Sequence, residues 1–310
     1  MWQLSGGIFL GWGLGSNDFA NIFGTSVSAG LIRYRTAVLL CVCFLLLGAC
    51  LEGPKCMTIV GGFTELSVTT AFVCALSSAI VITIQTYLAL PASVSQAIIG
   101  ALLGAGAVTG SINIFKLYWI VSCWILSPIC SMIFSISLFW MLGFFVNRYI
   151  KNLYWHNAFL TTGVLVGGCY GAYSLGANNV ASVTGVYAGA GMISPFNAAL
   201  IGGLSMAVGV LTYSYKVMET VGKKIVPLDA FSAFIATLAN ALSLHLFTQV
   251  GVPVSATQTI VGAVIGVGLI KSYRTVSKKI ITMIGIGWVV TPVLSGLLAY
   301  FILKFLGDIL

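Results

Sequence analysis

Long uninterrupted apolar runs dominate the chain, and they predict membrane-crossing helices. Four runs carry almost no charge: Ala37–Leu51, Val68–Leu90, Leu117–Val146 and Ile280–Leu303. A helix of roughly 20 apolar residues crosses a hydrocarbon core about 30 Å thick, so the chain holds material for about ten crossings. A membrane β-barrel needs alternating polarity in segments of about ten residues. Because these runs are continuous and much longer, we predict an all-α polytopic membrane protein.

Composition supports this prediction and excludes other classes. Of the 310 residues, 59% are hydrophobic and 6% are charged, whereas soluble domains average about 25% charged residues. The net charge of +8 is explained by basic cytoplasmic loops, so no nucleic-acid partner is expected. The eight cysteines lie mostly in apolar runs and include no CxxC pair, which indicates small buried side chains. No cluster of metal-ligating residues or catalytic constellation is visible.

Two sequence motifs occur twice, in the same order and at nearly the same offset. Gly15–Asn21 (GSNDFAN) recurs as Gly176–Ser182 (GANNVAS), and Pro91–Ala101 (PASVSQAIIGA) recurs as Pro253–Ala263 (PVSATQTIVGA). A third pair of landmarks follows them: Trp124 and Pro128 recur as Trp288 and Pro292. Such repetition predicts two related halves. We place them at residues 1–150 and 151–310, together forming one transporter domain.

The distribution of basic residues indicates that the two halves are inverted. If each half has an odd number of crossings and the N-terminus is outside, one face collects eleven of the 14 basic residues. They are Arg33, Arg35, Arg148, Lys151, Lys216, Lys223, Lys224, Lys271, Arg274, Lys278 and Lys279, against Lys55, Lys116 and Lys304 on the other face. The positive-inside rule places the first face in the cytoplasm. We therefore predict two inverted-topology repeats of about five membrane segments each, with both termini outside.

One ambiguity does not affect this topology. Residues 68–90 and 93–109 form either two crossings or one re-entrant hairpin, and both alternatives return the chain to the same side.

Asp18 is the acidic residue predicted to lie deepest in the membrane, because the other five acids are near span ends or loops. Polar residues at membrane depth are costly and usually functional. Gly13, Gly15 and Ser16 predict a break in the first helix here, and inverted-repeat transporters bind ions and substrates at such breaks. Asp18 is thus a candidate ligand for a cation or a proton. The alternative is a helix-capping Asp at the membrane interface.

The repeated PxSxxQ motif predicts an anion site. Proline is expected to start each helix, where its missing N–H is not needed, and a helix N-terminus with free N–H groups favours an anion. No Lys or Arg lies within the four motif stretches, so a bound oxyanion would need neutral donors and co-bound cations. The candidate ligands are Ser93, Ser95, Gln96, Ser255, Thr257 and Gln258. The two histidines, His156 and His245, are interpreted as structural.

These motifs resemble those of the inorganic phosphate transporter family, the sodium- or proton-coupled phosphate permeases, some of whose relatives carry sulfate. The resemblance rests on Gly15–Asp18, Gly176–Asn179, Gly24–Gly30, Val217–Ile225 and Pro253–Gln258, and it extends over essentially the whole chain. It implies transport of phosphate or sulfate with Na⁺ or H⁺ across the plasma membrane. It implies no cofactor beyond the coupling ion. The oligomeric state stays open, a homodimer included.

The resemblance also assigns roles to residues. Asp18 with Asn17, Asn21 and Asn178 would bind the coupling cation, and Asp18 and Asn178 would be the metal ligands if that cation is Na⁺. The six residues of the PxSxxQ motifs would hold the anion. Thr25, Asn179 and Thr184 would contribute to the same site.

The chain departs from the family pattern at several places, and one is that the first half lacks the Glu that Glu219 supplies in the second half. Asn179 stands where the family has Asp, which removes a carboxylate and suggests fewer coupled cations for each anion. Gln96 and Gln258 stand where the family commonly has His, and the long polar central loop is missing. The leading interpretation is a phosphate importer, with a sulfate permease second. An anion channel would need a continuous polar pore lining, and a membrane enzyme would need a catalytic constellation; the sequence shows neither.

Overall fold

A computed structural model describes the backbone of residues 1–28, 30–88, 92–222, 228–271 and 278–307, and these ranges contain helices and no strand. In chain order the helices are α1 (Leu4–Ser28), α2 (Tyr34–Glu52), α3 (Pro54–Gly61), α4 (Val68–Tyr87), α5 (Val94–Thr109), α6 (Ile114–Tyr149), α7 (Leu153–Gly189), α8 (Pro195–Gly222), α9 (Ala230–Val250), α10 (Ala256–Lys271) and α11 (Lys278–Gly307). The all-α prediction is confirmed.

Seven of the described helices are long and apolar enough to cross a membrane: α2, α4, α6, α7, α8, α9 and α11. The sequence predicted about ten crossings. α1 has 25 residues, but its polar motif makes it less apolar than these seven. The apolar helices α5 and α10 have 16 residues each. At 1.5 Å per residue they reach about 24 Å, which is shorter than a hydrocarbon core of about 30 Å.

The helices pair mainly between the two halves of the chain. α1 packs most extensively on α8, and α2 packs on α7; likewise α5 packs on α11, and α6 packs on α10. The repeat relates α1 to α7, α2 to α8, α5 to α10 and α6 to α11. Under this correspondence the α1–α8 pair is equivalent to the α2–α7 pair, and the α5–α11 pair is equivalent to the α6–α10 pair. The core is therefore shared, and the described part of the chain shows no separate core for either half.

Glycines of the repeated motif make these close contacts between helices. A Cβ on Gly15 would overlap the Met206 carbonyl oxygen on α8, and a Cβ on its counterpart Gly176 would overlap the Leu45 carbonyl oxygen on α2. Small residues let membrane helices approach to backbone contact. The glycines therefore serve packing between helices rather than flexibility within one.

The predicted break in the first helix is wrong. α1 continues without interruption from Leu4 to Ser28. The Ser16 hydroxyl donates to the carbonyl of Gly13 at 2.9 Å within this helix. Packing against α8 supports a glycine-rich segment whose intrinsic helix propensity is low, and α7 is likewise continuous through the second motif.

α4 and α5 are antiparallel, and the segment before α4 contacts the segment after α5. The backbone N–H of Asn113, after α5, donates to the carbonyl of Phe63, before α4, at 3.1 Å. The hydroxyls of Thr64 and Ser111 lie 2.9 Å apart at the same place. The described residues between α4 and α5 (Leu88, Ala92 and Ser93) are called the first tip below, and the residues between α9 and α10 (251–255) are called the second tip.

The sequence predicted that each helix after a tip begins at proline, but neither helix does. α10 begins at Ala256, three residues after Pro253, and α5 begins at Val94, whereas Pro91 lies outside the described residues. Hydroxyl caps start these helices instead. The Ser93 hydroxyl accepts from the Gln96 N–H at 3.4 Å, and the Ser255 hydroxyl accepts from the Gln258 N–H at 3.3 Å. A capping serine accepts a hydrogen bond from a first-turn N–H, whereas a proline merely lacks an N–H of its own.

Candidate functional site

The first turn of each of the helices α5 and α10 contacts the tip that precedes the other helix. The Ser95 hydroxyl donates to the Val254 carbonyl of the second tip at 3.1 Å. In the equivalent contact, the Thr257 hydroxyl donates to the Ala92 carbonyl of the first tip at 2.9 Å. The six candidate anion ligands of the PxSxxQ motifs are all buried. The structure thus brings together two helix N-termini that the sequence places 162 residues apart.

Asp18 lies beside this junction on α1. Its side chain is 4% exposed, and its Oδ1 accepts from the Asn21 amide at 3.0 Å. The same amide lies 3.4 Å from the Thr257 hydroxyl, so hydrogen bonds connect the carboxylate to the first turn of α10. The ion pairs among the described residues involve Glu52 and Asp229 but not Asp18. A buried carboxylate without a basic partner is a suitable ligand for a cation or a proton.

The second half contains the same arrangement without the charge. The Oδ1 of Asn179, the counterpart of Asp18, lies 3.0 Å from the Ser95 hydroxyl, whose single hydrogen it shares with the Val254 carbonyl. Ser182, the counterpart of Asn21, donates to that hydroxyl at 3.2 Å. The Nδ2 of Asn179 is buried and has no hydrogen-bond partner among the described residues. This half therefore presents an unused amide donor where the first half presents a carboxylate.

Gln96 and Gln258 also have unused hydrogen-bonding capacity. Both side chains are 3% exposed, and the Oε1 atoms of both find no partner in the described part of the chain. Both residues lie in the first turn of their helices. A buried polar atom without a partner is costly, so a bound solute that supplies donors would stabilise this site.

Asn17 and Asn178, two of the predicted cation ligands, are engaged elsewhere. The Asn17 amide donates to the Thr86 hydroxyl on α4 at 3.0 Å. The two hydrogens of the Asn178 amide are shared among the Leu244 carbonyl, the Thr248 hydroxyl and the Val252 carbonyl, which lie 3.1–3.3 Å from its nitrogen. No hydrogen bond joins either of them to Asp18 in the part of the chain that the structure describes. Their role in cation binding stays a prediction.

The two threonines predicted as additional anion ligands differ in what can be described. The Thr184 hydroxyl donates to the Ala198 carbonyl at 2.7 Å, which joins α7 to α8 rather than to either tip. The side chain of Thr25 lies outside the described residues. Both assignments stay predictions.

Sequence reasoning missed two features. Ser182 belongs to the site, and the repeat already contained this information because it aligns Ser182 with Asn21. The second feature is a polar network around Glu52 and His245. Its signal in the sequence is the pair His245 and Gln249, one turn apart on a helix that carries no Asp, Glu, Lys or Arg.

Asn178 should matter more for stability than Asn17, although the repeat makes them equivalent. Asn178 also accepts from the Val254 N–H at 2.8 Å, so its side chain fastens α9 and the second tip to α7. At roughly 1 kcal/mol per hydrogen bond, we expect Asn178→Ala to cost about 3–4 kcal/mol and Asn17→Ala about 1 kcal/mol. Denaturant titration of the two variants in detergent would measure this, and equal costs would contradict it.

Comparison with known proteins decides the family. Residues 14–299 match the profile of the phosphate transporter family. The chain belongs to this family. A provisionally named phosphate permease of Pyrococcus furiosus is 31% identical and aligns over 96% of this chain and 94% of its own length. A sulfate permease of Bacillus subtilis is 27% identical over 96% of this chain and 85% of its own length.

A solved structure has the same fold. It is described as the sodium-dependent phosphate transporter, and it superposes with a TM-score of 0.85 at 25% identity, covering 98% of this chain and all of the other. This member of the phosphate transporter family is therefore a multi-pass membrane transporter and not an enzyme.

Proposed function

We propose that this transporter imports inorganic phosphate together with Na⁺, and that Asp18 carries the charge that binds the cation. The observation that supports this most directly is the hydrogen-bonded connection from Asp18 through Asn21 to Thr257. It joins a buried carboxylate to a helix N-terminus suited to an anion. The solved relative described as sodium-dependent supports Na⁺ as the coupling ion. A cation gradient directed into the cell would drive import.

The chemistry of the site explains why the two solutes would travel together. The proposed anion ligands are neutral hydroxyls, amides and backbone N–H groups. A phosphate held by neutral donors keeps most of its charge, which is costly in a buried site. A cation at Asp18 would offset that charge. Each solute would therefore bind more tightly when the other is present, which is the condition for coupling.

We also propose that the halves are inverted repeats and that both tips lie near the middle of the membrane, with α4–α5 and α9–α10 as re-entrant hairpins. Inverted hairpins enter from opposite sides of the membrane. Ser95 and Thr257, in the first turns after the tips, each contact the tip of the other hairpin, which supports hairpins that do not cross completely. The short lengths of α5 and α10 support the same arrangement. The protein lies in the plasma membrane in this proposal. With eleven basic residues on the cytoplasmic face, both of its termini are outside the cell.

Sulfate is the second candidate substrate, because the sulfate permease of Bacillus subtilis aligns over nearly the whole chain. Phosphate carries a proton at neutral pH and can donate a hydrogen bond, whereas sulfate cannot. The unpartnered oxygens of Gln96 and Gln258 are acceptors that a protonated phosphate can satisfy and sulfate cannot. The carboxylate of Asp18 is a third acceptor nearby. These acceptors favour phosphate.

Uptake of radiolabelled phosphate and sulfate into proteoliposomes, with and without an inward Na⁺ gradient, tests the proposal. We expect phosphate uptake that requires the gradient, with little sulfate uptake. Uptake of sulfate without uptake of phosphate would mean that the substrate is sulfate, bound at the same site. Phosphate uptake driven by a pH gradient but not by Na⁺ would replace the coupling ion, and passive flux independent of any gradient would identify a channel.

Restoring the second carboxylate should change the stoichiometry of transport. Asn179→Asp places an acid beside Ser95, in the same surroundings that Asp18 has beside Thr257. We expect the number of Na⁺ ions transported with each phosphate to rise by one, measured by dual-isotope flux or by reversal potential. The isosteric variant Asn179→Leu should not raise it. Unchanged stoichiometry in Asn179→Asp would show that this half has lost more than the charge.

A further inference from the structure

A second group of titratable residues lies apart from the site around Asp18. Glu52, at the end of α2, is surrounded by four donors and is mostly buried, with 18% of its side chain exposed. Its Oε1 accepts from the Tyr173 hydroxyl at 2.9 Å. Its Oε2 lies 3.2 Å from the Nε2 of His245, 2.6 Å from the Gln249 amide and 3.2 Å from the Lys55 ammonium. Residues from four helices, α2, α3, α7 and α9, thus meet at one carboxylate.

We propose that Glu52 and His245 form a proton-binding site whose occupancy is coupled to transport of the anion. The inference rests on the proposed function, since it requires a transported anion, and it adds a second bound cation at a place distinct from Asp18. A partly buried carboxylate and imidazole in direct contact are a suitable pair for binding a proton.

The two ring nitrogens of His245 both have partners suited to reversible protonation. Nε2 faces the Glu52 carboxylate, which requires it to carry a hydrogen. Nδ1 lies 2.6 Å from the Tyr170 hydroxyl. In the neutral ring Nδ1 accepts from that hydroxyl. When Nδ1 takes up a proton from water it donates instead, and the hydroxyl turns to accept. Both states use the same heavy-atom positions, so the proton binds without rearrangement of the helices.

The charges around His245 are balanced when its ring is neutral. The titratable groups facing the network are Glu52 from α2, Lys55 and Cys56 from α3, and Tyr170 and Tyr173 from α7. With His245 neutral, the ion pair of Glu52 and Lys55 has no net charge. A proton on His245 would give the network a net charge of +1, 3.2 Å from the Glu52 carboxylate. A second positive charge near the tips would further offset the charge of a bound oxyanion.

The network is partly exposed, and hydrogen bonds join its helix α9 to the second tip. The side chains of His245 and Lys55 are 26% and 46% exposed. On α9, the neighbours Leu244 and Thr248 both accept from Asn178, whose Oδ1 holds the Val254 N–H of the second tip. A change in charge at His245 therefore acts on the helix that carries Ser255 and Thr257.

The network is absent from the equivalent place in the other half. The repeat aligns Glu52 with Tyr213, His245 with Thr83, Tyr173 with Trp12 and Tyr170 with Phe9. None of these four residues is a carboxylate or an imidazole. The two equivalent regions thus differ. One contains the carboxylate of Asp18, and the other contains neutral Asn179 together with the Glu52–His245 network, to which both halves contribute residues.

The proposal is tested by following the proton on His245 directly. The full chain, reconstituted in lipid nanodiscs and labelled with ¹⁵N in its imidazoles, gives signals from two histidines. The His156→Gln variant identifies the His245 signal and serves as the matched control, because His156 is in the first turn of α7, away from the network. We expect saturating Na⁺ and inorganic phosphate to tighten proton binding at His245 by about fivefold or more, the usual range for coupled sites. Glu52→Gln should weaken it in the absence of phosphate.

A transport assay completes the test. His245→Gln should flatten the pH dependence of the apparent phosphate affinity, whereas His156→Gln should keep it, which separates the site from the titration of phosphate itself. If wild-type protein shows Na⁺-driven phosphate uptake but the proton occupancy of His245 does not respond to phosphate, the inference is overturned and the proposed function stands. If phosphate is neither bound nor transported, both are overturned. The labelled wild type gives the answer even if a variant at His245 fails to fold.

Discussion

Asp18→Asn is expected to abolish Na⁺-driven phosphate uptake. The substitution keeps the shape of the side chain and its hydrogen bond with Asn21, but it removes the charge that would attract the cation. Losing one partner of a buried, hydrogen-bonded charge pair costs about 2–5 kcal/mol, and about 1.4 kcal/mol corresponds to a factor of ten. The apparent affinity for Na⁺ should therefore fall by about 30-fold or more. Because phosphate binding is coupled to the cation, its affinity at fixed Na⁺ should fall as well.

A matched substitution separates this effect from a general loss of acidic charge. Glu65 is exposed in the segment before α4, and Glu65→Gln should leave uptake within about twofold of wild type, since exposed charges contribute little. Initial rates measured over a range of Na⁺ concentrations would compare the two variants. If Asp18→Asn retained the Na⁺ dependence of wild type, the cation would have to bind elsewhere, and the proposed coupling site would be wrong.

Gly15→Ala should destabilise the protein far more than Gly13→Ala, two residues away on the same helix. The new methyl group at residue 15 would overlap the Met206 carbonyl oxygen and lie 2.7 Å from the Met206 carbonyl carbon. Backbone atoms cannot move aside as a flexible side chain can, so α1 and α8 must separate along their contact. Overpacking of this kind costs about 3 kcal/mol or more.

Gly13 is the natural control for that experiment. The nearest atom to a Cβ at residue 13 would be the Cγ2 of Ile82 at 3.4 Å, which is an ordinary contact. Since Ala favours helix over Gly by about 1 kcal/mol, Gly13→Ala should be neutral or slightly stabilising. Unfolding of both variants in the same detergent, followed by tryptophan fluorescence, would give the difference. Similar stabilities would mean that α1 and α8 are less closely packed than the structure shows.

The sequence predicted the features that depend on the spacing of residues. Continuous apolar runs predicted the helices, and the repeat predicted that the two PxSxxQ motifs play equivalent roles, which the paired contacts of Ser95 and Thr257 agree with. Asp18 was singled out because an acid in an apolar surrounding is costly, a cost that depends on the local sequence alone.

Features that depend on contacts between distant helices were not predictable. Gly13, Gly15 and Ser16 favour a broken helix when α1 is considered alone, and only the close packing of α8 makes the continuous helix stable. The side chain of Asn178 is of a type that can bind an ion, but α9 and the second tip supply hydrogen-bond partners for it instead. Likewise, Glu52 and His245 are 193 residues apart in the chain, so nothing in the local pattern of either residue indicated the other.

The exchange of partners between the halves also determines the order in which the protein can be built. During synthesis, α1 enters the membrane long before α8, its most extensive partner, has left the ribosome, and α2 likewise precedes α7. The glycine-rich face of α1 and the carboxylate of Asp18 must then be held in lipid, or by the insertion machinery, until the second half arrives. The nascent first half should consequently be a short-lived species that is recognised by quality control, and synthesis interrupted before α8 should yield no stable fragment.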